Sequence, residues 1–298
     1  MYAGSLVALV TPMLPDGSID FDAWSRLLEF QISNGTSGVV VAGSTGESAT
    51  VTDSELAELL THARRVIGKR ALLVANTGTN GTASSVERAR EFSALDIDAL
   101  LVASPSYVRP TQEGLFLHFS AVAAASRVPV LLYNVPGRTA VDLLPATVAR
   151  LSRVPRIVGI KEAVGDPARV REQIATCVSG FKVLSGDDLT ARDVIGVGAA
   201  GVISVTANVA PRAMADMVVA ALRGERAAAT QIDQRLVPLH RNLFVESNPI
   251  PVKWAVARMG LIGGTLRLPL TGLSPEYHAL VNESLFAAGI PLNAPVNS

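Results

Sequence analysis

The sequence predicts an α/β chain: a closed (β/α)8 TIM barrel followed by a C-terminal helical extension. Three observations carry this. Eight short apolar runs alternate with amphipathic helical stretches, each strand–helix unit taking roughly 20–30 residues, a count and regularity that fit a closed parallel barrel. No glycine fingerprint for a dinucleotide follows the first run, which disfavours the rival, an open doubly wound sheet. From about residue 225 the strand-like runs stop and only helical periodicity remains, so a barrel over 1–224 and helices packed on it over 225–298 are expected.

The first strand is expected over 6–10, ended by Thr11-Pro12 and the Pro15-Asp16-Gly17 breaker. Asp20 or Asp22 can cap a helix to about residue 34 with Trp24, Leu27, Leu28 and Ile32 on one face. Strand two, 38–42, opens into a loop of Gly43, Ser44, Thr45, Gly46 and Glu47, and Thr52 or Asp53 caps the next helix, to about 67. Further strands are expected over 71–75, 99–103, 130–134, 156–161, 182–184 and 201–205. The helices between and after them are expected over 83–94, 111–126, 143–151, onward from Asp166-Pro167, from the loop after Asp188 to about 196, and over 208–222. Three more, over 227–240, 251–259 and 275–288, make the extension.

Composition narrows the function. With 26 basic and 26 acidic residues the formal net charge is zero, so there is no electrostatic footprint for nucleic acid or an anionic membrane. No apolar run approaches the roughly 18 residues of a membrane span. The N-terminus runs almost directly into the first strand, unlike a signal peptide. Cys177 is the single cysteine, which excludes an intrachain disulfide and fits a reducing cytoplasm. His62, His118, His240 and His278 stand far apart, with no metal-ligand spacing. Neither a metal nor a cofactor is expected.

In such a barrel the reactive groups lie at the C-terminal ends of the strands, and that rule sorts the four lysines. Lys69 precedes a strand, Lys182 begins one and Lys253 lies in a late helix; Lys161 alone ends a strand, after Ile157, Val158 and Ile160. A lysine there is costly unless it is paired or uncharged. It either escapes to the surface, pairs with Glu162, or serves as an imine-forming amine. Other strand ends carry Ser44 and Thr45, Tyr107, Tyr133 with Arg138 just beyond, and Asp187 with Asp188. Singly these read as turn hydroxyls, strand aromatics, a solvated charge and helix caps; together on one face they read as a site. An amine that condenses with a carbonyl makes an electron sink, and Tyr133 could move the protons. The 43–46 loop could hold the carboxylate of a 2-oxo acid, and Arg138 a second carboxylate. The chemistry indicated is a metal-free Schiff-base aldolase or lyase.

The residues also carry a resemblance. The stretches 43–50, 133–139, 159–163, 185–188, 201–205 and 248–253 together resemble the pyruvate-dependent aldolase family of dihydrodipicolinate synthase and N-acetylneuraminate lyase, over essentially the whole chain. The resemblance is greatest to the synthase branch, and it implies that pyruvate forms an imine on Lys161 and then attacks L-aspartate 4-semialdehyde. It also implies that Tyr133 relays protons with Ser44 between it and Tyr107, the latter supplied by a neighbouring subunit. Thr45 would hold the pyruvate carboxylate, Arg138 the semialdehyde's carboxylate, and Gly186 and the Ile203 carbonyl would complete the pocket. A homodimer is then required and a tetramer expected. Two departures stand out. Ser44 replaces the synthase's usual threonine, as in the lyase branch. At the family's lysine-inhibition positions, Ser48, Ala49 and Asn80 fit, but Asp53, Leu56, Ser84 and Ser106 do not, which implies weak or absent feedback by lysine. The alternatives are another pyruvate-dependent aldolase (neuraminate, 2-keto-3-deoxygluconate or 4-hydroxy-2-oxoglutarate type) and a non-catalytic barrel scaffold.

Overall fold

The computed structural model describes residues 2–292. Eight parallel strands close in sequence order into a barrel: β1 (Gly4–Ala8), β2 (Gly38–Val41), β3 (Leu72–Asn76), β4 (Ala99–Ala103), β5 (Val130–Asn134), β6 (Ile157–Glu162), β7 (Lys182–Ser185) and β8 (Gly201–Ser204). The helices between them are α1 (Phe21–Ser33), α2 (Asp53–Ile67), α3 (Thr82–Phe92), α4 (Gln112–Ala125), the single turn α5 (Pro136–Thr139), α6 (Pro145–Leu151), α7 (Pro167–Thr176), α8 (Ala191–Gly196) and α9 (Pro211–Leu222). Then come α10 (Arg226–Asn242), α11 (Ile250–Arg258) and α12 (His278–Ala287). The barrel and its C-terminal helical part are as expected; residues 1 and 293–298 of the expected division lie outside the described residues.

Side chains sort into two layers by strand alternation. Leu6, Val40, Val74, Leu101, Leu131, Tyr133, Leu184 and Ile203 fill the barrel interior. Their neighbours Val7, Val39, Leu73, Leu100, Leu132, Val183 and Val202 pack outward against the helices. Strands buried on both faces read as continuous apolar runs, which is why they are visible in the sequence.

The first strand starts and ends two residues earlier than expected. Asn208 explains this: its Oδ1 accepts from Val10 N at 3.0 Å while Nδ2 donates to Ala8 O and Val205 O. The side chain thus takes over where the β8–β1 ladder stops. Asn208 belongs to a 3-10 turn (Thr206–Asn208) instead of opening the last barrel helix, which begins at Pro211. Proline there is pre-set for the first helical turn. The segment after β5 also differs: the expected loop over 135–139 contains α5, and α6 begins at Pro145. Caps resolve as Asp20 for α1 and Thr52, in a full capping box with Glu55, for α2.

One irregularity bears on the site. Val130 pairs with Ile157, but Leu131 pairs with Gly159, so β6 carries one extra residue, Val158. A bulge of this kind shifts the in–out phase of everything after it. Ile160 faces the helices and Lys161, opposite Tyr133, faces the interior.

Candidate active site

Lys161 lies between Tyr133 of β5 and Leu184 of β7, in register with both. It is 6% exposed, and its Nζ sits 4.4 Å from the centre of the Tyr133 ring, within the range of a cation–π contact. Among the described residues no carboxylate pairs with it. Glu162, the expected rival partner, points outward through the barrel wall: it accepts from Arg169 Nε at 2.9 Å, Gln173 Nε2 at 2.8 Å and Asn134 Nδ2 at 3.0 Å. Arg169 also forks onto Asp142; burial opposes its charge, but Glu162 and Asp142 together hold the guanidinium above its ordinary range. This network anchors the end of β6 from behind.

Gly186 is explained by the lysine. A Cβ there would lie 2.8 Å from Ala163 Cβ and 3.1 Å from Lys161 Cε and Cγ. Its bare backbone gives the lysine stem room, while its N–H donates to Glu162 O at 2.7 Å.

Three of the expected groups line one cavity; Lys161, Thr45, Gly186 and Ile203 are not among its lining residues, and Lys161 reaches it through its contact with Tyr133. Ser44, Tyr133 and Arg138 line a cavity of about 390 Å³ together with Asn76, Asn80 and Arg88. Thr45 is buried and tied to the same cavity through Asn248: the Asn248 amide donates to Thr45 Oγ1 at 3.0 Å, and its backbone carbonyl accepts from Arg138 Nη2 at 2.9 Å. With the amide donating, the Thr45 hydroxyl proton has no partner among the described residues. Ile203 belongs to the interior cluster with Tyr133 and Leu184. A cavity of about 710 Å³ in the helix layer, between α8 and the α9–α10 junction, contains none of these residues.

Tyr107 is not brought in. It is 89% exposed on the loop after β4, with a left-handed backbone (φ 69°), and does not line the cavity. Among the described residues, Ser44 and Tyr133 make no side-chain hydrogen bond. Asp187 and Asp188 act structurally: Asp187 accepts from Thr190 N and Oγ1, and Asp188 from Val205 N and Thr206 N.

Sequence reasoning missed two things. Asn248 was visible in the 248–253 motif but carried no assigned role. Lys253, set aside as a residue of a late helix, is fully buried and paired with Glu47 of the β2–α2 turn. Burial alone therefore does not single out Lys161; its place at a strand end does.

At the lysine-inhibition positions, Asp53 is paired with Arg88 at 2.7 Å, Asn80 Oδ1 accepts from Ser106 Oγ at 2.7 Å, and Ser84 Oγ meets Thr79 Oγ1 at 2.7 Å. No helix among the described residues is long and apolar enough to cross a membrane.

The dihydrodipicolinate synthetase family model matches residues 1–288. The 4-hydroxy-tetrahydrodipicolinate synthase of Thioalkalivibrio sulfidiphilus is 51% identical over 294 residues, 99% of this chain and 100% of that protein. That of Ectopseudomonas mendocina is 50% identical over 290 residues, 97% and 99% of the two chains. Among solved structures, the chloride-inhibited dihydrodipicolinate synthase of Acinetobacter baumannii complexed with pyruvate superposes with a TM-score of 0.96 at 44% identity, covering 98% of this chain and 100% of that one. The lysine-bound enzyme of Cyanidioschyzon merolae superposes with a TM-score of 0.93 at 32% identity, covering 97% and 98%.

Proposed function

The chain belongs to the dihydrodipicolinate synthetase family, and on that premise we propose that it condenses pyruvate with L-aspartate 4-semialdehyde through an imine on Lys161. The observation that carries the reading is Lys161 itself: inside the barrel, at the C-terminal end of β6, over Tyr133 and, among the described residues, without a carboxylate partner. The amine in its unprotonated form adds to the pyruvate carbonyl carbon, and loss of water leaves the imine. Tyr133, touching the lysine, donates and accepts the protons of these steps and takes one from the methyl carbon to give the enamine. That carbon attacks the aldehyde of the second substrate. The second substrate's own amine then displaces Lys161 from the imine carbon, closing the ring and freeing the enzyme as 4-hydroxy-tetrahydrodipicolinate leaves.

Thr45, through its hydroxyl and N–H, and the Ser44 N–H hold the pyruvate carboxylate; the N–H groups of Gly46, Glu47 and Ser48 are spent within the turn. Arg138, exposed at the mouth and oriented by the Asn248 carbonyl, receives the second carboxylate; its presence favours a semialdehyde over a polyol chain. Ser44 relays protons between Tyr133 and a Tyr107 from a neighbouring copy. Gly186 and the Ile203 carbonyl line the pocket. The exposure of Tyr107 and of Val108 beside it supports contact with a second copy, so the working unit is a homodimer and the expected assembly a tetramer. The lone cysteine and the metal-free chemistry suit a cytoplasmic enzyme. Incubation with pyruvate and borohydride is expected to trap a reduced pyruvate adduct on Lys161; its absence there overturns the reading.

A further inference from the structure

The turn between β2 and α2 holds a charge pair that the imine chemistry does not use. Lys253 Nζ, from α11, meets the Glu47 carboxylate, and both side chains are 0% exposed. Among the described residues no other ion pair has both side chains fully shut from solvent. Removing two charges from water costs more than their attraction usually returns. Stability alone is therefore a poor account of the pair.

Its surroundings give a better one. Glu47 has a left-handed backbone (φ 59°), a conformation a non-glycine residue keeps only where its surroundings hold it. Its second carboxylate oxygen accepts from Arg267 N at 3.2 Å. One residue back, the Gly46 carbonyl accepts from Thr11 Oγ1 at 2.8 Å. A Cβ at Gly46 would lie 3.0 Å from the Ala42 and Leu9 backbone. One further back, Thr45 Oγ1 receives the Asn248 amide. Three successive residues are thus gripped alternately by the C-terminal part of the chain, the barrel's first loop and the C-terminal part again. Asn248 and Lys253 are five residues apart on one segment and seize the turn at two points. Together with the Thr11 bond to the Gly46 carbonyl, these two attachments define the angle of the turn.

We propose that Glu47 and Lys253 are positioning residues for pyruvate: their pair sets the angle at which Thr45 presents its hydroxyl and N–H to the substrate carboxylate. The inference rests on the imine-forming reading, and the parent enzyme's own adduct on Lys161 tests that reading separately.

Three variants test the pair. Lys253→Met keeps the length of the side chain but strands a buried carboxylate. Glu47→Gln keeps an acceptor for the amine. The double variant removes both charges and keeps both shapes. Expected for Lys253→Met is a lower melting temperature and a pyruvate KM raised about 10-fold or more, misplacement of a binding group being the cause. Glu47→Gln, the conservative change, is expected within about 3-fold of the parent KM. The double variant is decisive: with no charge left stranded it regains thermal stability, yet its pyruvate KM stays raised, the semialdehyde KM moves far less, and amide exchange over 43–51 remains faster than in the parent. A double variant whose pyruvate KM returns to the parent value along with its melting temperature overturns the proposal, as does an equal rise in both KM values. The exchange measurement reads the turn directly and needs no turnover.

Discussion

At the scale of single residues, the site is built as much by what is absent as by what is present. Gly186 lacks the methyl that would press on Ala163 and the Lys161 stem. Gly186→Ala is expected to leave the chain folded at a cost of about 1–3 kcal/mol, and to lower kcat/KM for pyruvate about 10- to 100-fold by displacing the amine. Steady-state kinetics beside thermal melting check this; parent-level kinetics would show that the lysine tolerates the crowding. The lysine-inhibition positions follow the same logic. Asp53 is engaged by Arg88 and Asn80 by Ser106, so no free carboxylate stands ready for a ligand amine. Lysine at millimolar concentration is expected to inhibit weakly or not at all, and a several-fold fall of the rate in a coupled assay would refute this.

At the scale of elements, Arg267 ties the segment between α11 and α12 to the barrel face. Its guanidinium forks onto Glu55 of α2, donates to Thr50 O at 2.6 Å and to Gly17 O at 2.9 Å. Hydrogen bonding from Arg267 is the main cause that lowers the Glu55 carboxyl from 4.5 to about 2. A folded-state value below the unfolded one means stability that is full above about 4.5 and lost as pH falls from there towards about 2. Arg267→Ala is expected to remove about 2 kcal/mol at neutral pH, allowing for screening of a partly exposed pair. It should also flatten the acid limb of the stability curve, which chemical denaturation across pH 2–6 would measure. The elements themselves were largely legible in the sequence because fully buried strands and amphipathic helices announce themselves by apolar runs and period. The facing of Lys161 was not. In a strand apolar on both sides, alternation carries no phase, and the extra residue at Val158 leaves no mark in composition. Without that bulge Glu162 would face the barrel interior and Lys161 would meet Arg169. Asn208, Asn248 and the Glu47–Lys253 pair were hidden for a different reason: each bonds across about 200 residues of sequence, beyond the reach of local pattern.

At the scale of the whole molecule, the chain supplies every group of the proposed relay except one. Tyr107 stands exposed outside the cavity of its own chain on a backbone with φ 69°, near Arg109 at φ 44°. Mixing separately inactive Lys161→Ala and Tyr107→Phe proteins, after dissociation and reassociation, is expected to restore about a quarter of parental activity, since half of randomly paired dimers then carry one complete site. A mixture no more active than its components would place the tyrosine's role elsewhere. The exposure of that one side chain, 89% in the single chain, has a consequence for how the rate depends on amount. In the proposed dimer, below its dissociation constant, the fraction of complete sites is itself proportional to protein concentration, so velocity is expected to grow as the square of enzyme added. On that proposal, dilution acts as an inhibitor does, and crowding the protein together as an activator, with no ligand involved.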